Sequence, residues 1–204
     1  MTKKLIIIGA SGHGKVVADI AKKNGYVDIS FLDDDASVES CGIYKVVGAC
    51  GYALQYEDCH FIVAIGKAHV RKKIQKQLIE FGLQVISLIH PNAVVAECVE
   101  IGMGTVVMAG AVINPYTKIG QGCIINTCSS VDHDCIIGEY AHISVGAHIA
   151  GTVDVGENTW IGAGATVSNN VRIVSDCIVG AGAVVVDDIV ENGTYVGIPA
   201  RKIK

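Results

Sequence analysis

The sequence predicts a mainly β protein, with a parallel β-helix over residues 89–204 preceded by a small Rossmann-like α/β domain over residues 1–88. Three observations predict this fold. Isoleucine or valine recurs every six residues from Ile89 to Val185, and small residues fill a second register with the same period. Before residue 89, short apolar strands instead alternate with segments of helical periodicity.

The six-residue repeat carries most of this prediction. From Ala93 to Ala183, each position four residues after an Ile or Val of this register holds Ala, Ser, Thr, Cys or Val. A period of six fits neither a helix nor an ordinary strand, so each hexapeptide is expected to form one short strand and one corner. Every member of the main register is Ile or Val: Ile89, Val95, Ile101, Val107, Ile113, Ile119, Ile125, Val131, Ile137, Ile143, Ile149, Val155, Ile161, Val167, Ile173, Val179 and Val185.

Three hexapeptides make one coil of a triangular prism, so equivalent positions recur every 18 residues. The Ile and Val side chains fill the interior, and only a stack of coils buries them, because one coil cannot cover its own apolar face. Glycine often follows the Ile or Val directly, which indicates corners that stack on one another. The repeat is long enough for about five coils.

The first 88 residues show a different pattern. Strands separated by helices predict a parallel sheet. The predicted elements are strands at 5–8, 28–32, 61–65 and 85–89, helices at 15–24 and 70–81, and a glycine-rich turn, Gly9-Ala10-Ser11-Gly12-His13-Gly14.

The glycine-rich turn suggests a ligand. Backbone amides at such a turn and at the following helix N-terminus can hold phosphates, and an acidic residue after the second strand, Asp33 or Asp34, can hold a ribose hydroxyl. A domain shorter than 90 residues is small for a dinucleotide, so a nucleotide-sugar is the better candidate. The alternative is a tight β–α connection with no ligand.

His133 is the candidate general base. It lies outside both inward registers and between Asp132 and Asp134, either of which can orient the imidazole and raise its pKa. One coil further on, Gly151 leaves room beside the ring and offers a backbone N–H for an oxyanion. The alternatives are a solvated corner histidine and a plain turn glycine.

Several classes of function are disfavoured. His142 and His148 are six residues apart and should lie on different faces, so no metal site is predicted. The formal net charge of -4 argues against binding nucleic acid or an anionic membrane. No apolar stretch reaches the roughly 18 residues of a membrane span. Three of the eight cysteines occupy the small inward register, which favours packing and free thiols of a cytoplasmic protein.

The repeat resembles that of the hexapeptide acyltransferases, in which Ile, Val or Leu is followed by Gly, two variable residues, a small residue and another variable residue. The segment Gly197-Ile198-Pro199-Ala200-Arg201 is similar to the ending common in that family. This resemblance implies a left-handed helix. Together with the glycine-rich turn, the whole chain resembles the bacterial nucleotide-amino-sugar N-acetyltransferases and the related sialic acid O-acetyltransferase-like proteins.

The resemblance implies an acetyl-CoA-dependent N-acetyltransferase acting on a UDP-linked amino sugar in glycan biosynthesis. It implies a homotrimer with the active site between subunits. His133 is expected to be the base, Asp134 its partner and Gly151 the oxyanion donor. Acetyl-CoA is expected at His142, Gly151, Ala163 and Ala181, and the nucleotide-sugar at Ser11, Gly12, His13, Asp33, Asp34 and Gly66.

Two other functions stay open at this point. One is O-acetylation of a sialic acid or related sugar, because an alcohol acceptor needs the same base. The other is a β-helix that binds or scaffolds without catalysis, although the His133-Asp134 pair argues against it.

Overall fold

The computed structural model describes residues 4–204; residues 1–3, which begin the predicted N-terminal domain, lie outside the described part. The chain forms two compact units. One ends at Pro91 and the other comprises Asn92–Lys204.

The first unit contains a parallel sheet with the strand order β2-β1-β5-β6. All four residues of β1 are buried, as expected for the central strand of a parallel sheet covered on both faces. The elements are β1 (Leu5–Ile8), α1 (Gly12–Lys23), β2 (Ile29–Leu32), β3 (Ser40–Cys41), β4 (Tyr44–Lys45), a 3-10 helix (Cys50–Tyr56), β5 (His60–Val63), α2 (Ala68–Glu80), β6 (Gln84–Val85) and β7 (Leu88–Ile89).

Helix α1 begins three residues earlier than the sequence pattern predicts. Gly12, His13 and Gly14 form its first turn, so the glycine-rich turn itself is shorter than expected. Gly14 is needed because the helix packs tightly on the end of β1: a Cβ there would lie 2.3 Å from the Gly9 carbonyl oxygen. The early start places the N-terminus of α1 directly at the carboxyl edge of the sheet.

The second unit is a β-solenoid whose two-residue strands pair in parallel at a constant step of 18 residues, for example Ile113 with Val131 and Ile137 with Val155. One face stacks β8, β11, β14, β17, β20 and β23, a second stacks β9, β12, β15, β18 and β21, and a third stacks β10, β13, β16, β19 and β22. The strands are β8 (Val94–Val95), β9 (Glu100–Ile101), β10 (Val106–Val107), β11 (Val112–Ile113), β12 (Lys118–Ile119), β13 (Ile124–Ile125), β14 (Ser130–Val131), β15 (Ile136–Ile137), β16 (His142–Ile143), β17 (His148–Ile149), β18 (Asp154–Val155), β19 (Trp160–Ile161), β20 (Thr166–Val167), β21 (Arg172–Ile173), β22 (Cys177–Val179), β23 (Val184–Val185), β24 (Gly193–Val196) and β25 (Arg201–Lys202).

The predicted inward registers form the core of this unit, except at their start, where Ile89 is 36% exposed. From Val107 to Val185 every Ile or Val of the main register is at most 3% exposed. Burying one such side chain stabilises the fold by about 1.5–3 kcal/mol. Cys123, Cys135 and Cys177 are fully buried in the small register, and all eight cysteines are free thiols. The repeat therefore specifies the interior of the solenoid directly.

The backbone turns at a different register from the glycines that directly follow the inward Ile or Val. Backbone φ is positive three residues after the inward Ile or Val in every hexapeptide from Cys98 to Gly182, and nine of these residues, including Asp134, are not glycine. The glycines directly after the Ile or Val serve another purpose. A Cβ at Gly102 would lie 2.4 Å from the Gln121 backbone nitrogen, so glycine there permits close stacking of successive coils.

The chain ends as an antiparallel hairpin, in which β25 pairs with β24. Lys202 Nζ lies 2.9 Å from Glu191 Oε2 and helps to hold the last strand.

Within residues 4–204, no helix has the length and apolar character required to cross a membrane.

Candidate active site

His133 lies at the corner that follows β14. Its Nδ1 is 2.8 Å from Asp134 Oδ2, and both side chains are 56% exposed. The positive φ of Asp134 is a conformation that aspartate tolerates better than most residues, and it belongs to the general turn of the corner. Because Asp134 accepts from Nδ1, the lone pair of Nε2 is the one available to take a proton.

The pKa of His133 is raised above its usual value. The main cause is the hydrogen bond to Asp134, which favours the protonated ring; the charges of Asp132 and Asp134 add to this, while partial desolvation opposes it. The structure thus answers which aspartate contacts the ring. Asp132 instead accepts the His133 backbone N–H at 2.8 Å.

Gly151 lies against the imidazole, one coil above His133. A Cβ at Gly151 would be 2.7 Å from both Cε1 and Nε2 of His133, so any larger residue at position 151 would displace the ring. The Gly151 carbonyl accepts the Asn170 N–H at 3.1 Å. Among the hydrogen bonds within residues 4–204, none uses the Gly151 N–H as donor. An amide donor therefore lies next to the reactive nitrogen of the ring.

His142 lies on the third face of the solenoid, away from the His133 corner. Its ring stacks on Trp160 with centroids 5.5 Å apart and planes 7° from parallel. Asn126 Oδ1 accepts the Thr127 N–H, so Asn126 Nδ2 faces His142 Nε2 at 3.1 Å. Since that amide nitrogen can only donate, His142 Nε2 accepts, and the proton of the neutral ring is on Nδ1.

The other predicted solenoid residues are placed as the 18-residue step requires. Ala163 and Ala181 follow the paired residues Ile161 and Val179, so they occupy equivalent exposed corners of successive coils. His148 lies on a different face from His142 and contacts Ser130 Oγ at 2.9 Å. Residues 4–204 contain no cluster of three or more His, Cys, Asp or Glu side chains suited to a metal ion.

In the first unit, the predicted ligand residues meet at the carboxyl edge of the sheet. Asp33 holds the glycine-rich turn in place, because its Oδ2 accepts the Ala10 N–H at 2.6 Å. Asp34 Oδ1 accepts the Cys50 N–H at 2.9 Å. Ser11 and Gly12 are exposed at the N-terminus of α1, where phosphates are favoured.

Gly66 is held at this edge by Arg71, a residue that the sequence pattern does not reveal. Arg71 is 1% exposed, and its Nη1 donates to the carbonyls of Ile65 and Gly66 at 2.7 and 2.8 Å. Burial, helped by the Arg71 charge, lowers the pKa of His13 to about 4. His13 is therefore neutral at physiological pH.

A cavity of roughly 730 Å³ opens beside this edge, between the 3-10 helix and α2. This volume lies within the range of about 300–1,000 Å³ typical of small-molecule sites. Its lining includes Asp34, Cys50, His69, Lys73 and Phe81. The first unit thus offers both an exposed helix N-terminus and a pocket next to it.

Comparison with known proteins identifies relatives over the whole chain. The acetyltransferase domain of PglB from Neisseria gonorrhoeae FA1090, in complex with acetyl coenzyme A, is 39% identical, with a TM-score of 0.95 and coverage of 100% of both chains. The chain belongs to the nucleotide-amino-sugar N-acetyltransferase family.

Other N-acetyltransferases also match this chain in fold or in sequence. PerB from Caulobacter crescentus, solved with CoA and GDP-perosamine, is 37% identical with a TM-score of 0.91, covering 98% of this chain and 97% of that chain. The UDP-N-acetylbacillosamine N-acetyltransferase of Bacillus subtilis (strain 168) is 36% identical over 112 residues, which is 52% of this chain and about half the length of that relative (52%). Residues 4–78 match the PglD N-terminal domain model.

Proposed function

We propose that this protein transfers the acetyl group of acetyl-CoA to the amine of a nucleotide-linked amino sugar, with UDP as the nucleotide. The observation that carries the proposal is the His133 corner, where a carboxylate-oriented base lies against a glycine amide. The relatives support the substrate class, because one is solved with acetyl coenzyme A and another with CoA and GDP-perosamine. UDP follows the curated relative that acts on a UDP-linked sugar.

The proposed reaction is direct attack. The amine nitrogen bonds to the thioester carbonyl carbon, His133 Nε2 removes the amine proton, and the C–S bond then breaks to release CoA thiolate. Asp134 holds the imidazolium that forms. A positioned base of this kind contributes about 10²–10⁴-fold to the rate.

The Gly151 amide is proposed as the oxyanion donor. Its N–H makes none of the hydrogen bonds within residues 4–204, so pairing it with the developing oxyanion breaks no contact of the fold. A single oxyanion donor contributes about 10²–10³-fold.

Acetyl-CoA is proposed to lie along the outside of the solenoid, past His142, Gly151, Ala163 and Ala181. Because their side chains are short, the two exposed alanines would leave space along the corner for a pantetheine arm. Within one chain, His133 and His142 lie at different sides of the coil. A site that uses both is best completed by a neighbouring copy, which supports a homotrimer with shared active sites. We place this reaction in the cytoplasm.

The nucleotide-sugar is proposed to bind the first unit, which we regard as a Rossmann-like domain spanning residues 1–88, with the solenoid domain from residue 89. The diphosphate of the nucleotide-sugar would meet the N-terminus of α1 at Ser11, Gly12 and His13. The ribose would meet Asp33 and Asp34, and the base would occupy the adjacent cavity near Gly66. The neutral state of His13 suits a donor or acceptor to the sugar-phosphate without an added charge.

A direct assay tests this function. The protein is incubated with acetyl-CoA and UDP-, GDP- or dTDP-linked amino sugars, or with free or CMP-linked sialic acid, and products are measured by mass spectrometry. Thiol-reactive dyes are unsuitable because Cys98 and Cys128 are exposed. N-acetylation of the UDP-linked amine is expected. Transfer only to a sialic acid hydroxyl, or acetyl-CoA binding without transfer to any acceptor, would contradict the proposal.

Substitution of the base provides the matched test. His133→Ala should reduce kcat about 10²–10⁴-fold while the oligomer stays folded. The control is His148→Ala, which removes an exposed histidine from β17, the strand stacked on β14, without removing the His133–Asp134 pair, and should leave kcat near wild type. Equal losses of kcat in both variants would show that His133 is not the general base. A purely monomeric protein by light scattering would rule out the shared site.

A further inference from the structure

The main-chain N–H of His133 is held by a side chain, as the Thr127 N–H is held by Asn126 one hexapeptide earlier. At neighbouring positions the coils exchange backbone hydrogen bonds: Asp132 N–H donates to Ile149 O and Asp134 N–H to Pro115 O. The His133 N–H instead donates to the side chain of Asp132, at 2.8 Å from Oδ1. The His133 carbonyl accepts the Thr152 N–H of the next coil at 2.9 Å, so the Asp132 carboxylate holds the amide side of this residue.

That carboxylate is in turn held by the coil below. Asn114 Nδ2 donates to the same Asp132 Oδ1 at 2.7 Å. The two residues are 18 positions apart and directly follow the paired residues Ile113 and Val131. With two donors on one oxygen, the Asp132 side chain has a single favourable orientation. The hydrogen bond from Asn114 is also the main reason that the pKa of Asp132 is lowered.

The general fold does not account for this contact. Buried threonines support the next coil at several corners: Thr117 donates to Asp132 O at 2.7 Å, and Thr105 and Thr159 make the same kind of contact elsewhere. Such contacts to backbone carbonyls recur at several corners of the solenoid and are not specific to His133. The Asn114 amide additionally reaches the carboxylate that caps the His133 N–H.

We propose that Asn114 is a positioning residue for the base, acting through Asp132 to fix the backbone of His133. Asp134 then orients the ring through Nδ1, while Asn114 and Asp132 set where the ring is attached. Because the imidazole lies directly against Gly151, a shift of the His133 backbone changes the position of Nε2 relative to the amide beside it. The kinetic part of this inference rests on the proposed function.

The chain offers a matched pair of variants. Asn158 Nδ2 donates to Asp176 Oδ1 at 3.1 Å across the same 18-residue step, at a different corner. Asn114→Asp and Asn158→Asp therefore make the same chemical change, setting a new carboxylate against an existing one. Asn114→Asp should lower kcat about tenfold or more, because displacement of catalytic groups by about 1 Å can cost up to ~10²-fold. KM values should stay within about twofold, and Asn158→Asp should keep wild-type kcat.

A charge exchange gives the rescue. In the double variant Asn114→Asp/Asp132→Asn, the amide at position 132 can donate to the carboxylate at 114 and still accept the His133 N–H. We expect it to recover most of the lost kcat. A double variant as slow as Asn114→Asp, or equal kcat losses in Asn114→Asp and Asn158→Asp, would overturn the inference. If Asn114→Asp fails to fold, Asn114→Ser removes the amide without adding charge, and the same kcat loss is expected.

A second measurement needs no substrate. Hydrogen exchange of the His133 amide, followed in the full-length protein, should be about tenfold faster in Asn114→Asp than in wild type, and unchanged in Asn158→Asp. Unchanged His133 exchange in Asn114→Asp would refute the positioning role whatever the reaction is. If wild type acetylates none of the acceptors but the exchange difference is seen, the proposed function fails and the structural role of Asn114 stands.

Discussion

Replacing Gly151 with alanine tests whether the base works where the structure places it. The added methyl carbon would lie 2.7 Å from Cε1 and Nε2 of His133, about 0.8 Å short of the ~3.5 Å at which carbon atoms make optimal contact. Backbone strain is not the issue, because φ at Gly151 is not in the left-handed region. The ring must therefore move by close to 1 Å.

The expected effect is on turnover rather than on stability. The His133 side chain is 56% exposed, so it can swing into solvent, and the free energy of unfolding should change by no more than about 1 kcal/mol. A displacement of about 1 Å in a catalytic group can reduce the rate by up to ~10²-fold. Alanine keeps the backbone N–H, so any loss reports on the base. Steady-state kinetics and thermal melting measure the two effects separately.

Gly180→Ala provides the control. A Cβ there would also lie 2.7 Å from a side-chain atom, Cγ1 of Val196, and φ is again not left-handed. This variant should match the melting temperature of Gly151→Ala and keep wild-type kcat. Full kcat in Gly151→Ala, with the methyl group seen against the ring in a crystal structure, would show that the imidazole does not act from its position in the fold.

Three further outcomes follow from the same geometry. Asp134→Asn keeps a residue suited to positive φ but removes the carboxylate whose hydrogen bond, together with its charge, raises the pKa of His133, so the acidic limb of the kcat/KM–pH profile should move to lower pH and kcat should fall; an unmoved limb would contradict the contact. Because the pKa of His13 is lowered to about 4 in the folded state and is about 6.5 unfolded, the unfolded state binds more protons in between, so stability should drop by up to about 3 kcal/mol as pH falls from 6.5 to 4. His13→Gln should remove that component in chemical denaturation, and an identical pH dependence in both proteins would argue against it. Ile143→Ala, at a fully buried position, should destabilise the solenoid by about 2–5 kcal/mol, whereas Ile136→Ala, at a 51% exposed strand position, should cost much less; equal costs would mean that the inward register is wrong.

Periodicity predicted the solenoid because the interior of a stacked coil accepts one kind of side chain at one spacing. The same 18-residue step predicted that Gly151 lies over His133 and that His142 and His148 point from different faces. It also relates Asn114 to Asp132 and Trp160 to His142, so the signal for those pairs is in the sequence. The spacing alone does not single out these pairs, because paired strand residues throughout the solenoid are 18 positions apart.

The N-terminal unit was predicted less closely. Alternating strands and helices gave the order of elements, but Gly12 and His13 belong to α1 and not to the turn before it. Arg71 sits in a basic helix and gives no sign in the sequence that its guanidinium is buried against the Gly66 carbonyl. Burial of a charge depends on packing between elements, and a single sequence does not encode that packing locally.

The sequence by itself determined the solenoid, its inward registers and the two residues that meet at the His133 corner, because each follows from a fixed repeat length. Only the tertiary structure decided which aspartate contacts the ring, since Asp132 and Asp134 flank His133 equally along the chain. The left-handed backbone at position 134 turns that carboxylate toward Nδ1, while the hydrogen bond from Asn114 holds the other carboxylate on the main chain. The direction of Asp132 is set by a contact between coils, whose residues are 18 apart in sequence and adjacent in space.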